Sequence, residues 1–398
     1  MFRLAALLLW LAPFCPAAES PRAETPRPPA GPRGPVGPDV PLPNAEAKAL
    51  SNRVTVARPT AGGIQAACDR AAKNGTPAVF LPRGTYEMDA TVRVPGGLTV
   101  LGEGAQTRCR ARGKAVHLFR VDANDVRFTR LTLQGADTSI ATTNNTFGIE
   151  VAGGSSVRID HCELLGFSYA TTFSQEATAQ VDHCHIHDNL RNGLGYGVAL
   201  YSGAHVLVAD NAFAQNRHSL ASNGDLDWSS GRRLGRFVHR TGRRKTHWQL
   251  VHNRLGSNDR SPYELCAVDT HPGMDGTFVV EANLFENLRH GVGIRDGSGR
   301  IRRNVFRNLR TKTDFRPLIG VSISSGRHNN IPVEGCMPHH VEVRDNVFEM
   351  RPGAKVTECQ VGKAENVTID GKRVEGTSTD RPAPAIPTLR PMPGPIPR

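Results

Sequence analysis

A short phrase recurs along this chain, and its recurrence constrains the fold more than any other feature. It reads VLVADNAF at 206–213, FVVEANLF at 278–285 and VEVRDNVF at 341–348, each with an asparagine two residues before a phenylalanine. The closest repeats are 21 or 22 residues apart. Such a period predicts stacked units, none of which buries its own apolar face alone. The recurring position is filled by Cys162, Cys184, Asn211, Asn253, Asn283, Asn304 and Asn346.

The residues within each unit predict β-strands. VRID (157–160) and VEVR (341–344) alternate β-branched with charged residues and are bounded by Gly, Asn and Asp. A unit of this length predicts an all-β fold, a single-stranded right-handed parallel β-helix of about ten rungs. Because rungs stack about 4.8 Å apart, the recurring asparagines should pair in an internal amide ladder. Cys162 and Cys184 would be buried in that ladder, with or without a disulfide between them.

Two intervals in the repeat are longer than the others. The steps from 211 to 253 and from 304 to 346 are both 42 residues, so each is either two rungs or one rung with an insertion. Both intervals contain polar, Gly-rich segments that are typical of loops on a rigid scaffold, where functional residues concentrate.

The ends of the chain differ in composition from its middle. Residues 1–18 combine Arg3, an apolar run and small residues, as a secretory signal peptide does. Residues 19–53 and 376–398 are Pro-rich and predict an extended linker and a tail. Residues 54–375 would then form one β-helix domain. At its start, a short helix should cap the open end of the stack. Its buried face is predicted to consist of Ile64, Cys68, Ala71 and Ala72.

The charge of the chain indicates the class of its partner. A formal net charge of +12 favours a polyanion. Aromatic residues make up only 6%, and no nucleic-acid motif interrupts the repeats. We therefore expect an acidic polysaccharide, no nucleic acid, no integral membrane anchor, a monomeric state and a secreted or periplasmic location.

The capping segment and the first rungs, VFLPRGTY and LTVLGEG, resemble the pectate-lyase-like superfamily of secreted polysaccharide lyases, glycoside hydrolases and epimerases. The resemblance covers nearly all of 54–375 and implies the fold, but the scaffold carries several chemistries.

A narrower resemblance concerns 267–295, which is similar to the mannuronan C5-epimerase pattern. There, Asp-Pro-His closes a strand and a His-Gly-apolar-Arg segment follows one rung later. Asp269, His271, His290 and Arg295 fill those places, with Thr270 in the middle position. The Asn-Thr-Asp, Asp-Asp and Gly-His-Gly segments of galacturonan hydrolases are absent, which disfavours hydrolysis by paired carboxylates.

These residues suggest removal of the C5 proton of a uronate. Asp269 and His271 are two residues apart at a strand end, so their side chains should share a face. The carboxylate would orient the imidazole and raise its basicity, although a turn aspartate beside an exposed histidine fits the same pattern. In this hypothesis His271 is the base and His218 or His290 the acid. Arg295 or Arg217 neutralises the uronate carboxylate.

Further basic residues suggest a binding surface. The residue seven positions after a ladder residue is basic in four of the units. If these units stack in register, the four residues form a basic column along one edge of the β-helix. Such a column is suited to binding successive carboxylates of a polysaccharide. A cation-rich insertion would cover the bound chain as a lid. A merely solvated basic surface is the alternative. The column is Arg191, His218, Arg260 and His290, and the other predicted binding residues are Arg289, Arg240, Arg243, Arg244 and Lys245.

Calcium is the one cofactor that the residues suggest, and the metal stays undetermined. Asn223, Asp225, Asp227 and Asp296 offer oxygen ligands, but the sequence has no compact calcium loop.

The outcome of proton removal is left open by the sequence. If the bond to O4 breaks, the protein is a polysaccharide lyase, which we expect. If a proton returns from the other face, it is a polyuronate C5-epimerase. A non-catalytic glycan-binding envelope protein is the competing class. A phage- or adhesin-like glycan hydrolase would need paired carboxylates that the sequence does not show.

Overall fold

In the computed structural model, the chain is described for residues 30–223, 226–227, 238–239, 244–257, 260, 266–310, 317–325, 327–328, 331–333 and 336–392. Short parallel strands dominate this part of the chain, together with two α-helices, α1 (Asn44–Ala49) and α2 (Ala61–Asn74), and one 3-10 turn (Gly104–Gln106). The signal peptide predicted at 1–18 lies outside the described residues.

The strands follow one another in a regular three-strand repeat. The first nineteen are β1 (Arg53–Thr55), β2 (Ala78–Phe80), β3 (Gly84–Met88), β4 (Val92–Arg93), β5 (Thr99–Leu101), β6 (Thr107–Ala111), β7 (His117–Val121), β8 (Val126–Thr129), β9 (Thr132–Gln134), β10 (Phe147–Val151), β11 (Ser156–Asp160), β12 (Glu163–Leu165), β13 (Tyr169–Phe173), β14 (Thr178–Asp182), β15 (His185–His187), β16 (Tyr196–Leu200), β17 (His205–Ala209), β18 (Ala212–Ala214) and β19 (His218–Ser222). The others are β20 (Leu226–Asp227), β21 (Val238–His239), β22 (His247–Val251), β23 (Arg254–Gly256), β24 (Val268–Thr270), β25 (Thr277–Glu281), β26 (Leu284–Glu286), β27 (His290–Ile294), β28 (Gly297–Arg302), β29 (Val305–Arg307), β30 (Leu318–Ile323), β31 (Arg327–His328), β32 (Ile331–Pro332), β33 (Pro338–Arg344), β34 (Val347–Glu349), β35 (Val356–Val361), β36 (Thr368–Ile369) and β37 (Lys372–Arg373).

Three long sheets result, and the chain visits them in turn. The first sheet has thirteen strands in the order β1-β2-β5-β8-β11-β14-β17-β22-β25-β28-β33-β36-β37. The second has ten, β3-β6-β9-β12-β15-β18-β23-β26-β29-β34, and the third has ten, β4-β7-β10-β13-β16-β19-β24-β27-β30-β35. This is the predicted right-handed parallel β-helix, of ten rungs. The pairs β20-β21 and β31-β32 are separate two-stranded antiparallel sheets.

The predicted asparagine ladder is confirmed. Asn211 Nδ2 donates to Asn253 Oδ1 at 3.0 Å, and Asn253 Nδ2 donates to Asn283 Oδ1 at 3.0 Å. The ladder continues through Asn304 to Asn346 at 3.0 and 2.9 Å. Asn211 accepts from the backbone N–H of Cys184, so the cysteines occupy the earlier positions. All cysteines of the described residues are thiols.

The same contacts resolve the two long intervals. Strands β17 and β22 are hydrogen-bonded neighbours, as are β28 and β33. Each interval of 42 residues is therefore one rung with insertions, because the ladder asparagines on either side bond to each other directly.

The residue before each ladder position has a backbone conformation that the sequence does not predict. The residue preceding each ladder position has a positive φ, between 47° and 57°. These left-handed residues are not glycine, so each corner carries some backbone strain that the ladder bonds offset. They are His161, His183, Asp210, His252, Ala282, Arg303 and Asp345.

The core is a column of apolar side chains between the sheets. Phenylalanines of the second sheet stack at the rung spacing: Phe285 on Phe306 and Phe306 on Phe348, both with centroids 4.8 Å apart. Helix α2 closes the end of this column, capped by Thr60 at its start and by Gly75 (φ 64°) at its end. Its buried face includes Ile64, Cys68 and Ala71 as predicted, but Ala72 is exposed and Ala67 takes its place.

The described parts of both Pro-rich ends, residues 30–53 and 376–392, contact the β-helix. Arg33 forms a two-bond ion pair with Asp210 at 2.7 and 2.9 Å, and Gly37 N–H bonds to the His183 carbonyl. At the other end, Met392 N–H donates to Gln180 Oε1. Pro-rich composition predicts an extended backbone but not whether that backbone docks.

We predict that Asn253→Ala strongly lowers the free energy of unfolding. Asn253 accepts from Asn211 and donates to Val208 O and Asn283, all inside the stack. Leaving such partners unsatisfied costs about 3 kcal/mol. Urea unfolding followed by circular dichroism measures the loss.

The control is Asn52→Ala, which removes an exposed asparagine outside the ladder and should change stability by less than about 0.5 kcal/mol. Equal stability of the two variants would contradict a ladder that holds the rungs together.

Candidate active site

A cluster of polar side chains lies on the outer surface of the third sheet, across β16, β19, β24 and β27. Val268 and Leu220 point inward and are fully buried, so Asp269, between Val268 and Thr270, points outward. Its neighbour in β19 is Ala221, and Ala199 lies one strand further along. These small side chains leave room for larger groups around Asp269.

Asp269 is the centre of the cluster. Arg295 holds it with two hydrogen bonds, one from Nε to Oδ1 at 3.0 Å and one from Nη2 to Oδ2. His271 Nε2 lies 3.1 Å from Asp269 Oδ2, and His218 Nε2 lies 3.7 Å from the same oxygen. The register of parallel strands thus brings together residues that are up to 77 positions apart in the chain.

The carboxylate is ionised despite its burial. Only 5% of Asp269 is exposed, and burial alone would raise its pKa. The charge of Arg295 and the contact with His271 outweigh that effect, so the pKa of Asp269 lies well below its usual range. Burial alone would lower the pKa of Arg295. The charge of Asp269 and its hydrogen bonds outweigh that effect, so the pKa of Arg295 is raised and the guanidinium stays charged.

His218 is a neutral imidazole in a defined tautomer. Its Nδ1 lies 2.7 Å from the Cys266 carbonyl oxygen, which can only accept, so Nδ1 carries the proton and Nε2 keeps its lone pair. Burial lowers the pKa of His218 to about 3; the Asp269 carboxylate acts in the opposite direction, and the Arg217 charge adds to the lowering.

His271 is held by two neighbours. Its Nδ1 lies 2.5 Å from Asn223 Oδ1, and its Nε2 faces Asp269. Burial lowers the pKa of His271, while the Asp269 charge acts in the opposite direction. Because both ring nitrogens have protein partners, His271 is suited to positioning Asp269 rather than to taking a proton from a substrate.

His290 lies at the edge of the cluster. Its Nε2 is 3.0 Å from Ser322 Oγ, and burial lowers the pKa of His290 to about 4. The next residue is glycine because a Cβ at Gly291 would come within 2.5 Å of the Phe306 ring. That close approach to the core turns the side chain of His290 outward.

Tyr196 and Arg217 complete the cluster. Tyr196 is the register neighbour of His218, with ring centroids 5.5 Å apart, and its hydroxyl accepts from Arg217 Nη1 at 3.2 Å. Burial raises the pKa of Tyr196, so its hydroxyl keeps its proton. The sequence analysis missed Tyr196; aligning GYGVALYSG with the His218 strand residue by residue would have found it.

The predicted basic column is wrong. His218 is in register with Tyr196 instead of Arg191, which lies in the turn before β16. Arg260 bonds to Asp188 Oδ1 at 2.5 Å, away from the His218 register. The turns between the second and third sheets differ in length from rung to rung, so counting a fixed number of residues fails.

The other predicted binding residues are spread over the surface. Arg289 precedes β27 and is half-buried. Arg244 lies 3.5 Å from Glu176, and Lys245 is exposed just before β22. Arg240 and Arg243 lie outside the described residues, so the lid stays a prediction.

Calcium binding also stays a prediction. Asn223 is engaged by His271, and Asp296 accepts from the N–H groups of Gly273 and Gly297. The side chains of Asp225 and Asp227 lie outside the described residues. His218, Asp269 and His271 have ligand atoms within 4.8 Å of one another. However, Arg295 already holds the Asp269 carboxylate, and its positive charge opposes a metal ion there.

Comparison with known proteins supports the fold. The family described as right handed beta helix region matches residues 119–232. A comparison with curated proteins finds no match. The chain is a right-handed parallel β-helix protein. None of the helices among the described residues is long and apolar enough to cross a membrane.

Solved structures show the same architecture. A mutant tailspike protein of E. coli bacteriophage HK620, in complex with pentasaccharide, matches with 12% identity and a TM-score of 0.56 over 81% of this chain and 62% of the tailspike chain. This chain thus spans less than two thirds of the tailspike length. The mannuronan C-5 epimerase AlgE6 A-module of Azotobacter vinelandii matches with 12% identity over 81% and 96% of the two chains, at a TM-score of 0.41. The likeness to the tailspike protein supports the fold and not a reaction. The likeness to the epimerase module is too weak to support either.

We predict that His218→Gln makes the stability less dependent on pH. In the unfolded chain, His218 takes up a proton as the pH falls below about 6.5. In the folded chain it stays neutral down to a pKa of about 3. Its contribution to stability is therefore complete above pH 6.5 and is lost as the pH falls, by about 1.4 kcal/mol per pH unit. Urea unfolding at several pH values between about 7 and 4.5 measures the slope.

His117→Gln is the control, because it replaces a more exposed histidine of the same sheet. Parallel curves for wild type and His218→Gln would show that His218 takes up its proton at the same pH in the folded and unfolded chains, which would overturn the assignment.

Proposed function

We propose that this chain is an exported, carbohydrate-active protein that cleaves an acidic, uronate-containing polysaccharide as a lyase. One observation carries the proposal: Arg295, with 27% of its side chain exposed, pairs with a buried carboxylate that also lies beside two buried imidazoles, His218 and His271. Asp269 accepts from Arg295 Nε and Nη2, so a substrate carboxylate would pair with the exposed remainder of the guanidinium. A uronate is therefore the sugar that fits this cluster best.

The positive charges in the cluster suit removal of the C5 proton. That step moves electrons into the uronate carboxylate, and Arg295 and Arg217 would stabilise the developing charge. Arg217 is half-buried and close to Tyr196, so it would reach the substrate from the other side. The net charge of +12 would attract the polymer to the surface.

We propose proton-transfer roles that differ from those expected from the sequence, and the contacts support this choice. His218, with an Nε2 lone pair, would take the C5 proton. As the C4–O4 bond breaks and the C4–C5 double bond forms, the Tyr196 hydroxyl would give its proton to O4. His271, predicted as the base, would position Asp269, and Asp269 would position Arg295. His290, predicted as an acid, contacts Ser322 at the edge.

A polyuronate C5-epimerase is the second candidate. His218 and Tyr196 offer a proton acceptor and a proton donor whose rings are 5.5 Å apart. If the Tyr196 proton were delivered to C5 from the opposite face, the bond to O4 would survive.

Glycan binding without chemistry is the third candidate. Only 1% of His218 and 5% of Asp269 are exposed, and both have protein partners. A cluster so enclosed also fits a purely structural role, with the outer arginines binding the polymer.

We predict that His218→Ala and Arg295→Lys each lower activity while polymer binding remains. Loss of a general base lowers the rate about 10²–10⁴-fold, and loss of an oriented cation lowers it about 10²–10³-fold. The full chain is screened against pectate, alginate and glycosaminoglycans, with and without calcium. Ultraviolet absorbance of the C4–C5 unsaturated uronate reports a lyase, and deuterium uptake at C5 without absorbance reports an epimerase.

Arg302→Lys is the matched control, since Arg302 is similarly half-buried but pairs with Glu281 on the first sheet. It should leave activity unchanged. Wild-type protein that binds the polymer but gives neither signal would identify the binding class. Full activity in His218→Ala would refute the role of His218.

A further inference from the structure

A second cluster of potential metal ligands lies on the second sheet, away from the candidate active site. Strands β12 and β15 are parallel neighbours, with Glu163 opposite His185 and Leu165 opposite His187. Leu164 and Ile186 are fully buried, so the side chains on either side of them point outward. Glu163, His185 and His187 therefore share one surface.

The three side chains already converge. Glu163 Oε1 lies 3.1 Å from His187 Nε2, and the rings of His185 and His187 stack with centroids 4.1 Å apart. Each of the three residues has a ligand atom within 4.8 Å of those of the other two. Small side-chain rotations would bring these atoms to the separations found around one tetrahedral ion.

Neighbouring residues hold two of these ligands in place. Asp188 Oδ2 lies 2.8 Å from His187 Nδ1, which leaves Nε2 directed at Glu163. Thr132 Oγ1 donates to Glu163 Oε2 at 3.0 Å. A carboxylate behind a ligating histidine is a recurrent outer-shell arrangement in zinc sites.

We propose that Glu163, His185 and His187 form a Zn²⁺ site, with water in the remaining coordination position. Two imidazoles and one carboxylate suit this ion, and all three residues are partly exposed. The ion would bind the lone pair of His187 Nε2 and the Glu163 carboxylate, and a proton carried by Nε2 would leave to the solvent.

The charges around the site permit a divalent ion. Arg254, two strands from β15, pairs with Glu286, and Arg260 pairs with Asp188. Because each of these cations has its own carboxylate, the Glu163 carboxylate is left to the metal. The ion would join two consecutive rungs and stabilise the folded chain.

The test is calorimetric titration of the tag-free, chelator-treated full chain with ZnCl₂. We expect one ion per chain and a rise in melting temperature with zinc. Glu163→Gln and His185→Ala should each weaken binding at least about 10-fold. His205→Ala, which replaces a half-buried histidine on the first sheet, should bind zinc as wild type does.

Two further measurements keep the proposal open to refutation if a variant folds poorly. Asp188→Asn leaves all three ligands in place and should weaken binding by about 10-fold or more. X-ray absorption of zinc-loaded wild type should show two imidazole ligands. Absence of binding, unchanged binding in the ligand variants, or a zinc ion without imidazole ligands would overturn the site.

Discussion

The arrangement of this molecule depends on the register between parallel rungs. Backbone hydrogen bonds fix that register within the sheets, and the buried asparagine amides fix it at one corner, each bonding to the next from Asn211 to Asn346. Side chains alternate between the two faces of a strand, so a slip of one residue would exchange the core for the surface. Asp269 meets His218 and Arg295 only in the register that the ladder maintains.

The candidate active site contains charged side chains that are largely buried, where the loss of hydration is unfavourable. Asp269 and Arg295 form a largely buried ion pair, and removing such charges from water usually costs more than their attraction returns. Stability alone therefore does not account for the cluster. Titratable groups with displaced pKa values, gathered on one surface, are typical of functional sites. The proposed zinc site lies on another sheet and uses residues that the candidate reaction does not need.

The sequence predicted what depends on local pattern and period. The strands, the ladder and the capping helix follow from spacing, and the likeness of 267–295 to a known pattern pointed to Asp269 and His271. The basic column failed because it assumed equal turns, whereas Arg191 lies in a turn that displaces it from His218. Tyr196 was missed for the same reason. Docking of Arg33 on Asp210 joins residues 177 apart, and composition carries no information about it.

The most direct test of this account is a double-mutant cycle on Asp269→Asn and Arg295→Gln, measured as free energies of unfolding in urea. These residues lie 26 apart in the chain, Asp269 on β24 and Arg295 directly after the neighbouring strand β27. If the register unites them, their coupling energy should be about 2 kcal/mol. Effects that add to within about 0.5 kcal/mol would mean that the two side chains do not meet. The candidate active site would then lose its centre.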